Sequence, residues 1–490
     1  MMMRATMVIA LAAACGSVSG GKKPDGGSNK DSQSVDAGNE DGAKSGTRLK
    51  LQWVTYPDGA RQLAGIMDTM LHEQCYPQTV NGGMYCAPSN SAISYGYYSD
   101  ANCTQAVAAW YYCNAGQPDY IYTYDTSNPC QSTILGLYQR GSEVSIPSGL
   151  AYEKNAGGCQ QVNFGTNYTF YGLGAPVAVT TLATMERSEP SGSSGIGVVS
   201  YTSTDGLVYP ELLHDSTNNY DCYPETTGAG ATSATCVPDV DDAYAGYYSN
   251  STCTTAVAET NSSCPVPTYA EVPGQCSNDL PTYFQLGSTE ALSTAYYTSV
   301  QSNGTTTCQG GNFSGVNWYM LGAAVPTQTL TRAPEMVAGR RIQRIQFTAG
   351  STEYPDYALY DTTEQLECES YSAGNNTYNC LPTSSAGVNS NYFYSDSACA
   401  NAVDIVELYR GANTCPAPVL PKYALKYTTL PNGCSTNMPE VHTVGASIST
   451  LYYKSGTTCT VYPAEPYEYY LVGAQVPTAN FATATLMTDP

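Results

Sequence analysis

Charge is what this 490-residue chain has least of: Asp, Glu, Lys and Arg together make up 12% of it, about half the usual quarter. What there is leans acidic, 41 Asp+Glu against 19 Lys+Arg, for a net charge of -22. Nucleic-acid binding needs clustered Lys and Arg, so DNA and RNA are excluded as partners. Histidine is nearly missing too. His72, His214 and His442 fall at non-equivalent places, which removes a repeated imidazole site and leaves room only for a single asymmetric one. No apolar run reaches the roughly 18 residues a spanning helix requires. No Gly-x-Ser-x-Gly elbow, His-Glu-x-x-His pair or phosphate-cradling glycine loop occurs, so no catalytic residue, cofactor or metal is expected. A hydrophobic fraction of 42% still supports sizeable cores and excludes wholesale disorder.

The N-terminus reads as an address. Arg4, an apolar run from Ala5 to Ala14, then Cys15 and Gly16 form a secretory signal over residues 1–14. The stretch Leu11-Ala12-Ala13-Ala14-Cys15-Gly16 resembles a bacterial lipobox, which implies that Cys15 becomes a lipidated N-terminus. It has Ala12 where that motif usually carries leucine. Residues 15–46 hold almost nothing apolar and are read as the lipidated cysteine and a flexible tether.

Cysteine is plentiful, 19 in all. Setting Cys15 aside leaves eighteen in three groups: Cys75, Cys86, Cys103, Cys113, Cys130 and Cys159; Cys222, Cys236, Cys253, Cys264, Cys276 and Cys308; Cys368, Cys380, Cys399, Cys415, Cys434 and Cys459. The first members are 147 and then 146 residues apart, so the chain is a triplication. Flanking residues repeat with them. An Asp-hydroxyl pair precedes each group at Asp68, Asp215 and Asp361, and Pro88, Pro238 and Pro382 follow each second cysteine. An aromatic-Tyr-Ser-Asp/Asn box surrounds each third cysteine, and Gly-Ala-x-Val closes each repeat at Gly174, Gly322 and Gly473. The repeats span 47–190, 191–336 and 337–490. Matched cysteine sets mean an oxidising compartment and a disulfide framework. Zinc knuckles need spacings of about two to four, and the shortest here is ten. Short loops favour bonds between neighbours: first to second, third to fourth, fifth to sixth.

Short β segments separated by Gly, Pro, Asn and Ser predict an all-β fold. Tyrosine, 43 residues against seven Phe and three Trp, suits strands with one wet end. Eight strands per repeat, in two sets of four, predict a six-bladed β-propeller with two blades per repeat. Three separate disulfide-stapled β domains are the alternative. After Ser99 one helical turn is expected, capped by Ser99 or Asp100.

The strict recurrence of Asp68, Asp215 and Asp361 favours architecture, each accepting turn N–H groups, over a channel lined with cation-binding carboxylates. Asp239, Asp241 and Asp242 form the densest acidic run but lack the glycine turn and distal Glu of a calcium loop. The mature region resembles the Cys-rich repeat lipoproteins of myxobacterial type, on the lipobox, the tether and the Asp-Thr…Cys…Cys-x-Pro…Tyr-x-Asp-x-x-Cys order. That resemblance implies an exported lipoprotein of the outer membrane or surface of a Gram-negative bacterium, with no activity attached. The expected role is a lipid-anchored β-repeat scaffold that binds an extracellular polymer, a polysaccharide or a protein, without catalysis. A secreted hydrolase with an acidic site is the alternative.

Overall fold

Strand β1 (Leu49–Thr55) shows how the sequence builds the frame. Leu49, Leu51 and Trp53 pack into one core, while Val54 and Tyr56 pack into a second. Strict alternation puts the two sets on opposite faces, while a bulge on the neighbouring strand, where Ala64 is skipped between the partners of Gln52 and Trp53, shifts the register. The structure is a computed structural model. It describes residues 42–490 except 115, 126–132, 156–157, 189, 191–194, 240–241, 263, 275, 277–278, 301–304, 410–414, 431–433, 437 and 463–466. Cys15, Cys130 and Asp241 lie outside the described residues.

Among the described residues each repeat contributes twelve strands. In the first, β1 continues into β2 (Arg61–Asp68), β3 (Glu73–Val80) and β4 (Gly83–Pro88) as an antiparallel meander. Asn81 and Gly82 both have left-handed backbones, φ 49° and 81°, the geometry of a two-residue hairpin turn. Seven strands follow: β5 (Ser91–Tyr98), β6 (Ala106–Tyr111), β7 (Tyr120–Asp125), β8 (Thr133–Val144), β9 (Leu150–Asn155), β10 (Gly158–Asn163) and β11 (Tyr168–Val177). Five of them close on themselves in the order β5–β6–β11–β8–β7–β5, with β5 and β7 parallel, and the β9–β10 hairpin hangs from β5. This is a small barrel, and the second and third repeats form the same circuit.

Strand β12 (Ala183–Arg187) joins the repeats. Its first residues pair with β4 and its last three with the opening strand of repeat two, Ile196–Ser203. Gln328–Pro334 makes the same bridge into repeat three, and Thr483–Thr488 returns to pair with β1. Five strands from each repeat therefore form one closed circuit with no free edge. The tips reinforce it: Asp205 accepts the N–H groups of Arg48 and Leu49, Asp58 those of Arg341 and Ile342, and Thr352 donates to the Ile196 carbonyl. The repeats are thus not separate domains.

The barrels close through glycines. A Cβ on Gly141 would stand 2.4 Å from the Gly172 carbonyl oxygen, and one on Gly174 2.6 Å from that of Gln139. A Cβ on Gly287, Gly322, Gly445 or Gly473 would stand 2.7–2.9 Å from a backbone oxygen of the facing strand, which is why Gly-Ala-x-Val recurs.

The all-β expectation holds, but twelve strands replace the expected eight. The stretch Leu150–Gln160, read as one strand, is the β9–β10 hairpin, and the second half of each repeat is a barrel rather than a four-stranded set. No helical turn follows Ser99. Asp100 instead accepts N–H groups from Asn102, Thr104 and Gln105 in a compact turn, with Cys103 at φ 52°.

The disulfides correct the expected pairing. First-to-second bonds form as expected: Cys75–Cys86, Cys222–Cys236 and Cys368–Cys380. Third cysteines bond to sixth, not fourth: Cys103–Cys159, Cys253–Cys308 and Cys399–Cys459. In the first repeat this bond staples the box turn to the side hairpin, which lies beside it because β9 pairs with β5. Fourth and fifth cysteines bond across repeats, Cys113–Cys434 and Cys276–Cys415, and Cys264 is also disulfide-bonded. Such a framework places the folded chain in an oxidising extracellular setting. No helix among the described residues is long and apolar enough to cross a membrane.

Candidate functional site

The repeated aspartates are buried inside their own repeats rather than converging on a channel. Asp68 accepts the N–H of Met70 and Leu71 and pairs with Arg48, whose guanidinium also donates to the Thr181 carbonyl. Asp361 repeats this with Thr363, Glu364 and Arg341, and Arg341 reaches the Asn480 carbonyl. Repeat two has Gly195 at the arginine position. There the Asn218 amide takes over, donating to Asp215 and to the Pro326 carbonyl. Each hydroxyl partner, Thr69, Ser216 and Thr362, donates to a backbone carbonyl. All three clusters tie a turn to the segment before the bridging strand. Their work is architectural.

Where the second strands of the three repeats meet, Arg61, Tyr209, Tyr354 and Asp356 line a cavity of only about 40 Å3. That is room for about one water. The space is filled by polar contacts, with Gln62 donating to the Tyr357 carbonyl and Tyr354 to that of Glu211.

No group of three or more His, Cys, Asp or Glu that could hold a metal occurs among the described residues. His214 pairs with Asp221 at 2.8 Å. His442 lines a second cavity, in the third barrel. One carboxylate pair stands out: Glu73 shares a hydrogen bond with Asp119, and burial together with that neighbour pushes Glu73 up to about 7. It lines neither cavity.

The tyrosines assemble into ribbons along the barrels. In the first, rings run Tyr111, Tyr168, Phe164, Tyr97, Tyr95, Tyr124, with successive centroids 4.8–6.2 Å apart. In the third they run Tyr409, Tyr467, Tyr469, Tyr462, Tyr453, at 5.3–6.3 Å. The second is shorter, Tyr244, Tyr247 and Phe313, with Trp318 edge-on to Tyr247. These separations are those of favourable aromatic pairs. Alternation explains part of the lines: Tyr95 and Tyr97, and Tyr467 and Tyr469, lie two apart on one strand and share a face, and in the third barrel the side hairpin Leu451–Ser455 and Thr458–Tyr462 adds Tyr453 and Tyr462. Tyr111, Tyr168, Tyr244, Phe313, Tyr409 and Tyr453 keep 36–43% of their surface exposed, so each ribbon can be touched from outside. Burial and nearby Glu153 push Tyr97 up to about 12, and burial with Glu259 does the same to Tyr247. The rings stay neutral.

The sequence offered tyrosine only as a composition; the ribbons require the β5–β9 and β6–β11 pairings, which join residues some fifty to sixty apart. A family model described as a family of unknown function (DUF7481) matches residues 30–481. No curated protein and no solved structure matches the chain.

Proposed function

The chain belongs to that family, and from its own residues we propose a non-enzymatic scaffold, held to the cell envelope through a lipid on Cys15, that binds an uncharged extracellular polysaccharide along its barrels. The aromatic ribbons carry this reading. Rings in a line, most of them edge-on to the next, offer a row of apolar faces and edges with phenolic hydroxyls among them, which suits the C–H faces and hydroxyls of a sugar chain, and tyrosine supplies that area at low entropic cost. A net charge of -22 repels polyanions and leaves neutral polymers as the fitting class. The closed circuit fixes three such tracks on one frame, so weak contacts add through avidity. The lipobox and tether supply the anchor and the reach.

The test is a polysaccharide panel against the full chain. Combined Tyr111→Ala, Tyr168→Ala and Tyr409→Ala changes should weaken binding by tenfold or more, with little salt dependence, and Cys15→Ser should release the protein from membranes. Binding to a protein alone, or unchanged binding in the tyrosine variant, would overturn the polysaccharide reading.

A further inference from the structure

The third barrel departs from its sisters at one cluster. Ile405 faces Leu471, two residues before Gly473, as Val107 faces Gly172 and Val257 faces Met320 before their own glycines. Against the closing strand Asp404 therefore stands where the other barrels have Ala106 and Ala256; across the box hairpin, where Phe393 faces Val403 as Tyr97 faces Val107 and Tyr247 faces Val257, it stands where they have Ala108 and Ala258, so an alanine is replaced in either register. His442 faces Ala424 as Tyr138 faces Ile121 and Phe284 faces Ala270. Lys426, two residues on from Ala424, holds the place of Thr123 and Val272. Uncharged side chains in two copies have become Asp, Lys and His in the third.

These residues meet. Lys426 donates to Asp404 at 2.6 Å. The His442 ring nitrogens lie 3.3 Å from the Gly473 carbonyl and 3.2 Å from Glu440. Asp404, His442, Val403, Leu471, Val472 and Gly473 line a cavity of about 360 Å3, at the lower end of the roughly 300–1,000 Å3 typical of ligand pockets. The hairpin beside it is longer than in the first repeat: its strands Ser385–Tyr394 and Ala402–Tyr409 have ten and eight residues against eight and six for β5 and β6. A charged cluster is a costly replacement for apolar packing, and the sister barrels show that closing the barrel does not require it.

We propose that this cavity is a subsite for one neutral sugar residue of the polymer, a proposal that rests on the polysaccharide reading above. Charge selects the class. An anion would meet Asp404 and Glu440, and a cation would meet an ammonium already paired with the carboxylate. A hydroxylated neutral ring can donate one hydroxyl to Asp404, which Lys426 holds in place, and exchange a second with the His442 ring in place of Glu440. Its apolar face then rests on Val403, Leu471 and Val472.

Three histidines in the whole chain make the ring signals of His442 a clean NMR reporter. The full chain is titrated with the methyl glycosides of glucose, galactose, mannose and N-acetylglucosamine. At least one should shift the His442 signals, and Asp404→Asn should weaken that glycoside tenfold or more. Replacing the cluster by first-barrel residues (Asp404→Ala, Lys426→Thr, His442→Tyr) should abolish binding while near-UV circular dichroism stays native. No shift with any of the four, or equal binding by Asp404→Asn, overturns the subsite. If the cluster variant binds polysaccharide as well as the parent while the tyrosine variant does not, the subsite fails and the scaffold reading stands. If no polysaccharide binds the parent, the scaffold reading itself fails.

Discussion

Cys113 of the first repeat is bonded to Cys434 of the third, 321 residues away, with Cα atoms 5.3 Å apart. The bond joins a fourth cysteine to a fifth, as does Cys415–Cys276 from the third repeat to the second. One step remains in this cycle, from Cys264 in repeat two to the fifth cysteine of repeat one. Non-reducing peptide mapping should therefore recover Cys264 linked to Cys130. Changing Cys113 and Cys434 together to serine should cost about 3–5 kcal/mol in denaturant unfolding, because the bond closes a long loop. A Cys264 peptide bonded elsewhere would break the cyclic pattern.

Arg48 and Arg341 each pair with an aspartate that is buried outright, whereas Asp215 relies on the Asn218 amide. Removing a partner from a buried charge pair costs about 3–5 kcal/mol, and losing a hydrogen bond to a charged group about 1.5–3. Arg48→Ala and Arg341→Ala should accordingly destabilise more than Asn218→Ala, with polymer binding unchanged in all three once folded. Urea midpoints in the reverse order would contradict the ion-pair account.

Much of this frame is legible in one sequence because the chain repeats it three times. The 147- and 146-residue spacing sets the copies, Asn81-Gly82 marks a hairpin and hence Cys75–Cys86, and recurrence identifies Asp68, Asp215 and Asp361 as structural. What is not legible is non-local. The β5–β7 parallel pairing closes the barrel across intervening strands, and Cys159 meets Cys103 only because β9 lies on β5. The Asp404 cluster could have been suspected by laying the repeats over one another, but its two extra strand residues hide the register until the partner strand is known.

Glu73 and Asp119 are the carboxylates that a hydrolase reading would choose, since they share a hydrogen bond and Glu73 is raised to about 7. Their neighbours argue otherwise: Asp119 is fixed through its backbone to Asn90 and Arg140, a strand-joining position. Glu73→Gln and Asp119→Asn should leave polysaccharide binding within twofold, and no hydrolysis should be detectable in the parent by reducing-end assay. A measurable turnover lost in Glu73→Gln would move the protein into the enzyme class.

Gly141 and Gly387 make a matched test of barrel closure. A methyl on Gly141 meets the Gly172 carbonyl at 2.4 Å, while one on Gly387 meets nothing within 4 Å. Gly141→Ala should cost about 3 kcal/mol through overpacking against backbone that cannot yield, and Gly387→Ala should be neutral or slightly stabilising. Equal thermal midpoints would refute the close-approach role of these glycines.

Glu211 gives the fold a pH dependence of defined sign. Burial, with repulsion from Asp239, pushes its carboxyl up to about 7 against an ordinary 4.5, Arg187 opposing only in part. One of its oxygens, Oε2, is buried with no hydrogen-bond partner, so only the partial attraction of Arg187 favours ionisation. Between these two pH values the folded chain holds a proton that the unfolded chain has released. The stabilisation by the neutral acid is therefore complete below pH 4.5, declines as pH rises, and is gone above about pH 7. There the buried charge costs on the order of 3 kcal/mol. Glu211→Gln should consequently raise stability at pH 8 by up to about 3 kcal/mol and change it little at pH 4. Urea unfolding of parent and variant across that range measures the difference directly, and a gain of the same size at both ends would assign the effect to packing rather than to the proton.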